Sequence, residues 1–257
     1  MELKKENIDD YEEYLYNQIS NSGFVIVDEK IRNKFNIKNL ITTEKDKDIK
    51  NFIQSWNFLG LDEHMHDNGK YRFRTHGVFT AQKNTLKLNY KEKIPHFQKK
   101  QYNNVNGDIE RWFKKIEPNI LKNNFFNYLI VNSLEHFEKF EKIKEIFDNS
   151  WNEWFIEIHQ FRILASKDLK GLPTPEGIHT DGVSYIFILA INRENISGGE
   201  SEIYTKDKNK IATTILNKGD CIYLDDTSIM HSVTSISSQN NSAEAFRDTL
   251  VITFFKR

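Results

Sequence analysis

Cysteine is almost absent: Cys221 stands alone among 257 residues. One thiol excludes an intrachain disulfide and any Cys-rich zinc or iron–sulfur site, so Cys221 is expected to be small apolar filler in the strand-like run CIYL. No sign of charge prevails either, with 36 Lys and Arg against 37 Asp and Glu. No overall field therefore draws the chain to nucleic acid or an anionic membrane, and partners must be argued from local sites. The opening MELKKENIDDYEEYLY carries charge where a signal peptide needs an apolar stretch, and no run is long and apolar enough to span a bilayer. A cytoplasmic protein is expected. Internal repeats are lacking, and the one biased stretch is the polar SSQNNSAEA at 237–245, expected to be a mobile loop.

A chain of this length can bury one sizeable core, so a single domain over 1–257 is expected. Residues 1–150 read as a largely helical cover with the first strands. Amphipathic helix is predicted over Ile8 to Ile19 and over Asp46 to Phe58, with a short strand at Phe24 to Val27; these are expected to cover a core rather than form it. Tyr71 to Thr80 and Leu86 to Tyr90 predict paired strands. Between Glu117 and Phe147 apolar residues recur at helical spacing, as one long helix or a broken pair. From Trp154 the texture changes to short strand-like runs: FIEIHQFRIL, VSYIFILAIN, SEIYT, KIATTIL, CIYL, HSVTSI and TLVITFF. Turn residues separate them, including Pro173, Pro175, Gly177, Gly198, Gly199 and Gly219. Mostly β structure follows, a jelly roll over 151–257 under a helical cover.

Within that strand-rich half, His179 and Asp181 stand two apart in GIHTDG. Placed at a strand start, they would project from one face and offer a nitrogen and a carboxylate to one metal. A third ligand is available at His231, read as the head of HSVTSI. Two neutral imidazoles and one carboxylate leave positions open on an ion, which suits Fe(II) in oxygenases. Such chemistry also needs a cation for the far carboxylate of a 2-oxo acid. Arg247 in FRDTLVITF offers a planar fork for it, with Thr249 adding a hydroxyl. A regular last strand puts Arg247, Thr249, Val251 and Thr253 on a ligand-facing side and Leu250, Ile252 and Phe254 on a packing side. Taken alone, a His-x-Asp pair is usually a surface or turn feature; the ordered set of His-x-Asp, later His and terminal Arg-x-Thr carries the reading.

Other groups are weaker. His64 and His66 lie in a stretch without strand signal, and His76, His96 and His136 have no suitable partners nearby in sequence. In HQFRI, His159 and Phe161 share one face while Gln160 and Arg162 share the other; Gln160 and Arg162 are taken as candidates for binding the co-substrate, beside an equally open role in the core. Arg72 and Arg74 alternate with His76 in YRFRTHG. Either they belong to a solvated edge strand, or one of them, helped by Arg111 of IERWF, clamps a substrate carboxylate.

Several blocks then resemble a known family: YRFRTHG, GDIERWF, EIHQFRI, PTPEGIHTDGVSYIF, GGES, HSVTSI and EAFRDTLVITF. They are similar to those of 2-oxoglutarate- and Fe(II)-dependent dioxygenases related to bacterial L-isoleucine hydroxylase, and run from about Tyr71 to the C-terminus. The resemblance implies a double-stranded β-helix of cupin-like form, with His179, Asp181 and His231 as the catalytic iron triad. It implies Fe(II), 2-oxoglutarate and O2 as cofactors, with 2-oxoglutarate anchored by Arg247 and converted to succinate and CO2 as substrate is hydroxylated. Two differences qualify it: PTPEGIHTDG reads as a separate branch, so isoleucine does not carry over as substrate, and the polar loop between His231 and Arg247 is a candidate lid whose order depends on ligand. An intact Asp181 argues against halogenating relatives. The expected substrate is a free amino acid or similar small metabolite. A peptide or natural-product intermediate, a non-catalytic metal- or small-molecule-binding β-barrel, and a metal-dependent isomerase or hydrolase stay open.

Overall fold

The computed structural model describes residues 5–41, 46–144, 150–240 and 243–257. The chain opens with helix α1 (Lys5–Ser22), strand β1 (Phe24–Val27) and helices α2 (Glu29–Phe35) and α3 (Lys47–Gln54), followed by a 3-10 turn at Ser55–Phe58. Strands β2 (Gly60–Leu61), β3 (Arg72–Gln82), β4 (Asn89–Lys91) and β5 (Lys114–Lys115) precede a short α4 (Pro118–Leu121) and the long α5 (Asn124–Ile143). The rest is strand: β6 (Glu153–Ala165), β7 (Tyr185–Glu194), β8 (Ile196–Gly198), β9 (Ser201–Thr205), β10 (Lys210–Thr214), β11 (Cys221–Asp225), β12 (Ile229–Val233), β13 (Ile236–Ser238) and β14 (Ala245–Lys256).

These strands form the expected jelly roll. A large sheet runs β1-β11-β7-β14-β6-β3-β2, with β4 and β5 also on β3; smaller sheets β10-β9-β12 and β13-β8 face it. The terminal strand β14 lies between β6 and β7, where Thr249 is opposite Phe161 on one side and Ala190 on the other. Its alternation is the predicted one. Leu250, Ile252 and Phe254 are fully buried beneath the helices, where Phe137 of α5 packs on Phe254 and stacks on Tyr185. Arg247, Thr249, Val251 and Thr253 face the opposite way, into a cavity between the sheets.

The structure corrects some of these expectations and decides between others. The N-terminal segment is more than a cover: β1 pairs with β11 and closes that edge of the large sheet, while Phe52 and Trp56 are core residues. Of the two alternatives between Glu117 and Phe147, the broken pair α4 and α5 is the one present, because Asn123 leaves helical geometry and caps α5 by accepting the Phe126 N–H at 2.9 Å; Phe147 lies outside the described residues. Helix α2 lies outside the sequence expectations; Asp28 caps it in the same manner, accepting the Ile31 N–H. Strand β3 is no free edge, since β6 pairs along one side and β2, β4 and β5 along the other. Of the 237–245 stretch, the first residues belong to β13 and Ala245 to β14, while 241–242 lie outside the described residues. Among the described residues no helix is long and apolar enough to cross a membrane.

Candidate active site

The turn after β6 carries His179 onto β12, where it forms an isolated bridge with His231. Each accepts the other's backbone N–H, at 3.0 and 2.9 Å, which sets the imidazoles side by side with centroids 4.4 Å apart. Asp181 closes the group: its Oδ1 is 3.6 Å from His179 Nε2 and its Oδ2 3.8 Å from His231 Nε2. One ligand atom from each lies within 4.8 Å of the others.

The convergence does not come from strand alternation, as the sequence suggested. His179 and Asp181 precede β7 in an irregular loop, and His231 is the middle of β12 rather than its head. The loop is shaped instead by Asp226, whose carboxylate accepts three successive backbone N–H groups, from Asp181 (3.1 Å), Gly182 (2.8 Å) and Val183 (3.1 Å). Gly182 has φ +77°, and any Cβ there would strike the Tyr102 ring at 2.2 Å.

The electrostatics fit a cation. His179 donates Nδ1–H to the Gly177 carbonyl at 2.9 Å, which turns Nε2 toward Asp181. Burial opposes charge on His179, yet Asp181 and Glu176 raise it to about 9. His231, buried beside it, is lowered to about 3 by burial and by His179. Burial alone would raise Asp181, but the two histidines hold it well below the usual carboxylate range. Burial and the Asp181 charge lift Asp226 to about 7. A half-buried carboxylate between two buried imidazoles, one drawn to protonate, is a donor set that an Fe(II) ion would satisfy by replacing the proton. The buried His231 Nδ1 has no hydrogen-bond partner among the described residues.

The triad lies on the wall of a cavity of about 400 Å³. Arg247 enters it from β14 beside Thr249 and is only 6% exposed. No described carboxylate forms an ion pair with it, because neighbouring Asp248 is taken by Arg162. Opposite it on β7 stands another cation, Arg193, donating to the Gly198 carbonyl at 2.5 Å. Gly199 leaves room for both: a Cβ there would be 3.0 Å from Arg193 Nη1 and 3.3 Å from Arg247 Cδ.

Arg72, Arg74 and Arg111 meet elsewhere on the same cavity wall. Arg72 Nε donates to Asp62 at 2.8 Å, and Arg74 Nη1 lies 3.6 Å from the same carboxylate. The Arg74 guanidinium is held between the Phe113 and Phe161 rings and bonds His159 Nδ1 at 2.8 Å; burial lowers it to about 9. Arg111 donates to Gln98 Oε1 at 2.8 Å, while its buried Nε has no hydrogen-bond partner among the described residues.

Gln160 and Arg162 do not reach the cavity. Their strand turns Glu157, His159, Phe161 and Ile163 toward it, so they fall on the other face. There Gln160 accepts from Thr75 and donates to Ser55, both at 2.7 Å, tying β6 to β3 and the 3-10 turn. Arg162 grips Asp248 with two bonds of 2.7 Å. Two groups had no sequence signal. Gln98 donates to Asp181 Oδ1 at 3.1 Å from an irregular segment, and His76 and His96 find buried partners in Glu157 and His159 that lie far away in sequence.

The family model described as 2OG-Fe dioxygenase matches residues 53–253. Over 168 residues the chain is 29% identical to 3(1)-hydroxy-L-isoleucine 4-dioxygenase of Pantoea ananatis (strain AJ13355), covering 63% of this chain and 64% of that protein. Over 160 residues it is 29% identical to L-isoleucine-4-hydroxylase of Bacillus thuringiensis, covering 62% and 64%. The match thus spans about 64% of the length of these curated relatives. Among solved structures, a bsmA homolog from Methylobium petroleophilum PM1 superposes with a TM-score of 0.77 at 27% identity, over 95% of this chain and 92% of that one. IDO from Bacillus thuringiensis shares the fold, with a TM-score of 0.70 at 18% identity over 96% of each chain.

Proposed function

This chain belongs to the 2OG-Fe dioxygenase family, and from that we propose that it is an Fe(II)- and 2-oxoglutarate-dependent hydroxylase of a free amino acid. The observation that carries the reading is one cavity holding both the His179, Asp181 and His231 donor set and a buried Arg247 with no ion-pair partner among the described residues. Iron held by the triad, with 2-oxoglutarate and O2, supplies the oxidising power, and 2-oxoglutarate leaves as succinate and CO2. The protein's task is placement. Arg247 and Thr249 hold the far carboxylate of 2-oxoglutarate, Ile188 and Val251 keep water from that end, and Asp226 fixes the loop bearing two ligands. Arg74 and Arg111 hold the substrate carboxylate, while Arg72 supports them through its bond to Asp62. The cavity volume suits a small metabolite, and the lone buried Cys221 suits the reducing cytoplasm.

Anaerobic addition of Fe(II) and 2-oxoglutarate is expected to give the visible charge-transfer band of the chelate. Amino acids should then stimulate succinate formation in air. Absence of the band would refute the reading in favour of a binding protein or a metal-dependent isomerase or hydrolase; a band with stimulation only by peptides would move the substrate class.

Two outcomes follow from the surroundings of the triad. Asp226→Ala strands three backbone N–H groups and is expected to weaken Fe(II) binding by about 10- to 100-fold, the usual cost of losing an outer partner; anaerobic calorimetric titration reads it. Arg111→Ala and Arg74→Ala are each expected to raise the KM of the amino acid about tenfold or more, as loss of a charge-assisted pair does, with the band unchanged. Normal KM values in both variants would assign the carboxylate to another group.

A further inference from the structure

We propose that Glu157 binds the α-ammonium group of the substrate, so that the cavity selects a free amino acid over its 2-hydroxy, 2-oxo or N-acylated counterpart. This deepens the amino-acid hydroxylase reading and rests on it.

Glu157 faces the cavity from β6 with its side chain about one-tenth exposed. Its Oε1 takes two hydrogen bonds, from His76 Nε2 and His96 Nδ1, each 3.0 Å long. No described residue donates to Oε2, which is thus the unfilled side of a mostly buried carboxylate. Such a group normally collects further donors, and an ammonium brings three N–H bonds with a full charge. Its position is fixed from behind: the His76 ring stacks on His159 at 4.8 Å, and His159 Nδ1 accepts from Arg74.

The charges on this wall point the same way. Three arginines meet two carboxylates, and Asp62 is engaged by Arg72 and Arg74. Glu157 is left as the anion with an open side, near cations that have unfilled donors, a pattern complementary to a zwitterion. Burial alone would raise Glu157, but His96 and His76 hold it well below the usual carboxylate range, so it is ionised at neutral pH. Glu176, another acid on the cavity wall, is paired instead with His179, 3.5 Å from its Nε2 on the triad side.

His76, His96, Glu157 and His159 also have the composition of a metal site. Their bonds argue otherwise. The His159 Nδ1 lone pair is occupied by Arg74, both Glu157-bound histidine nitrogens act as donors, and a divalent ion would sit beside a guanidinium.

The test uses the Fe(II)-loaded full chain with 2-oxoglutarate and a panel of the twenty protein L-amino acids, scored by stimulated succinate formation. The best amino acid is then compared with its 2-hydroxy and N-acetyl analogues in wild type, Glu157→Gln and Glu176→Gln. The wild type is expected to favour the free amino acid by about 100-fold or more in kcat/KM, since a site built for a polar group rejects analogues lacking it. Glu157→Gln is expected to lose most of that preference through KM, with the Fe(II)/2-oxoglutarate band and melting temperature at wild-type values. Should that variant not fold, the wild-type comparison still decides: equal stimulation by the 2-hydroxy analogue, or none by any amino acid, overturns the proposal. Preference lost in Glu176→Gln but kept in Glu157→Gln also overturns it. So does a second equivalent of Zn2+ per chain that disappears in His76→Ala. Failure to form the band, or an intact band with stimulation by no amino acid, would overturn the parent reading itself, whereas an intact band with equal stimulation by the amino acid and its 2-hydroxy analogue overturns this proposal alone.

Discussion

Asp181→Ala is expected to abolish iron-dependent turnover and to weaken Fe(II) binding by more than about 100-fold, beyond the loss from any outer partner. Asp181 is the one anion of the triad, placed so that its two oxygens face the Nε2 atoms of His179 and His231 separately. Without it two neutral imidazoles remain, giving no compensation for the charge of a buried divalent ion. The fold should survive. Asp181 side-chain exposure is 20%, and the loop around it is held through backbone N–H groups by Asp226, which the substitution leaves in place. His179→Ala and His231→Ala are expected to lose turnover equally, with little backbone change because their mutual bridge is made by main-chain atoms. Anaerobic Fe(II) titration together with thermal melting separates lost ligation from lost structure. Wild-type turnover in Asp181→Ala would exclude this triad.

What the sequence made legible divides along physical lines. Period-two alternation in FRDTLVITFF was enough to separate Arg247, Thr249, Val251 and Thr253 from Leu250, Ile252 and Phe254, because a strand allows only two faces. The same rule sorted HQFRI into two sets but not into cavity and core. Both faces of β6 are covered, one by the cavity wall and one by Ser55, Thr75 and the helices, so polarity did not mark the side that binds. Gln160 and Arg162 were therefore assigned to the wrong side. The triad was legible from residue types and order, yet the cause of its geometry was not: three N–H groups converging on Asp226 belong to no periodic pattern. FVIV was readable as a strand, whereas its pairing with CIYL across most of the chain was not. Gln98, His96 and Glu157 are brought to the cavity by the irregular 96–111 segment and by β6, through contacts between residues far apart in sequence.

Arg247→Ala is expected to raise the 2-oxoglutarate requirement by about 30-fold to a few thousand-fold, the equivalent of the roughly 2 to 5 kcal/mol lost when one partner of a buried charge pair is removed. The guanidinium is buried, has no ion-pair partner among the described residues and faces Arg193 across the strand pair; burial and that like charge lower it to about 10. A cation in that state gains more from a ligand carboxylate than a solvated one would, because its desolvation is already present before the ligand arrives. Arg247→Lys keeps the charge without the planar fork and should fall between wild type and alanine. Thr249→Val removes one neutral donor and should cost about 1 kcal/mol. None of these changes alters the main-chain pairing of β14 with β6 and β7. Titrating 2-oxoglutarate against the charge-transfer band gives its affinity directly. An unchanged affinity in Arg247→Ala would move the anchor to Arg193 rather than to Arg162, since Arg162 faces away from the cavity and is held by Asp248.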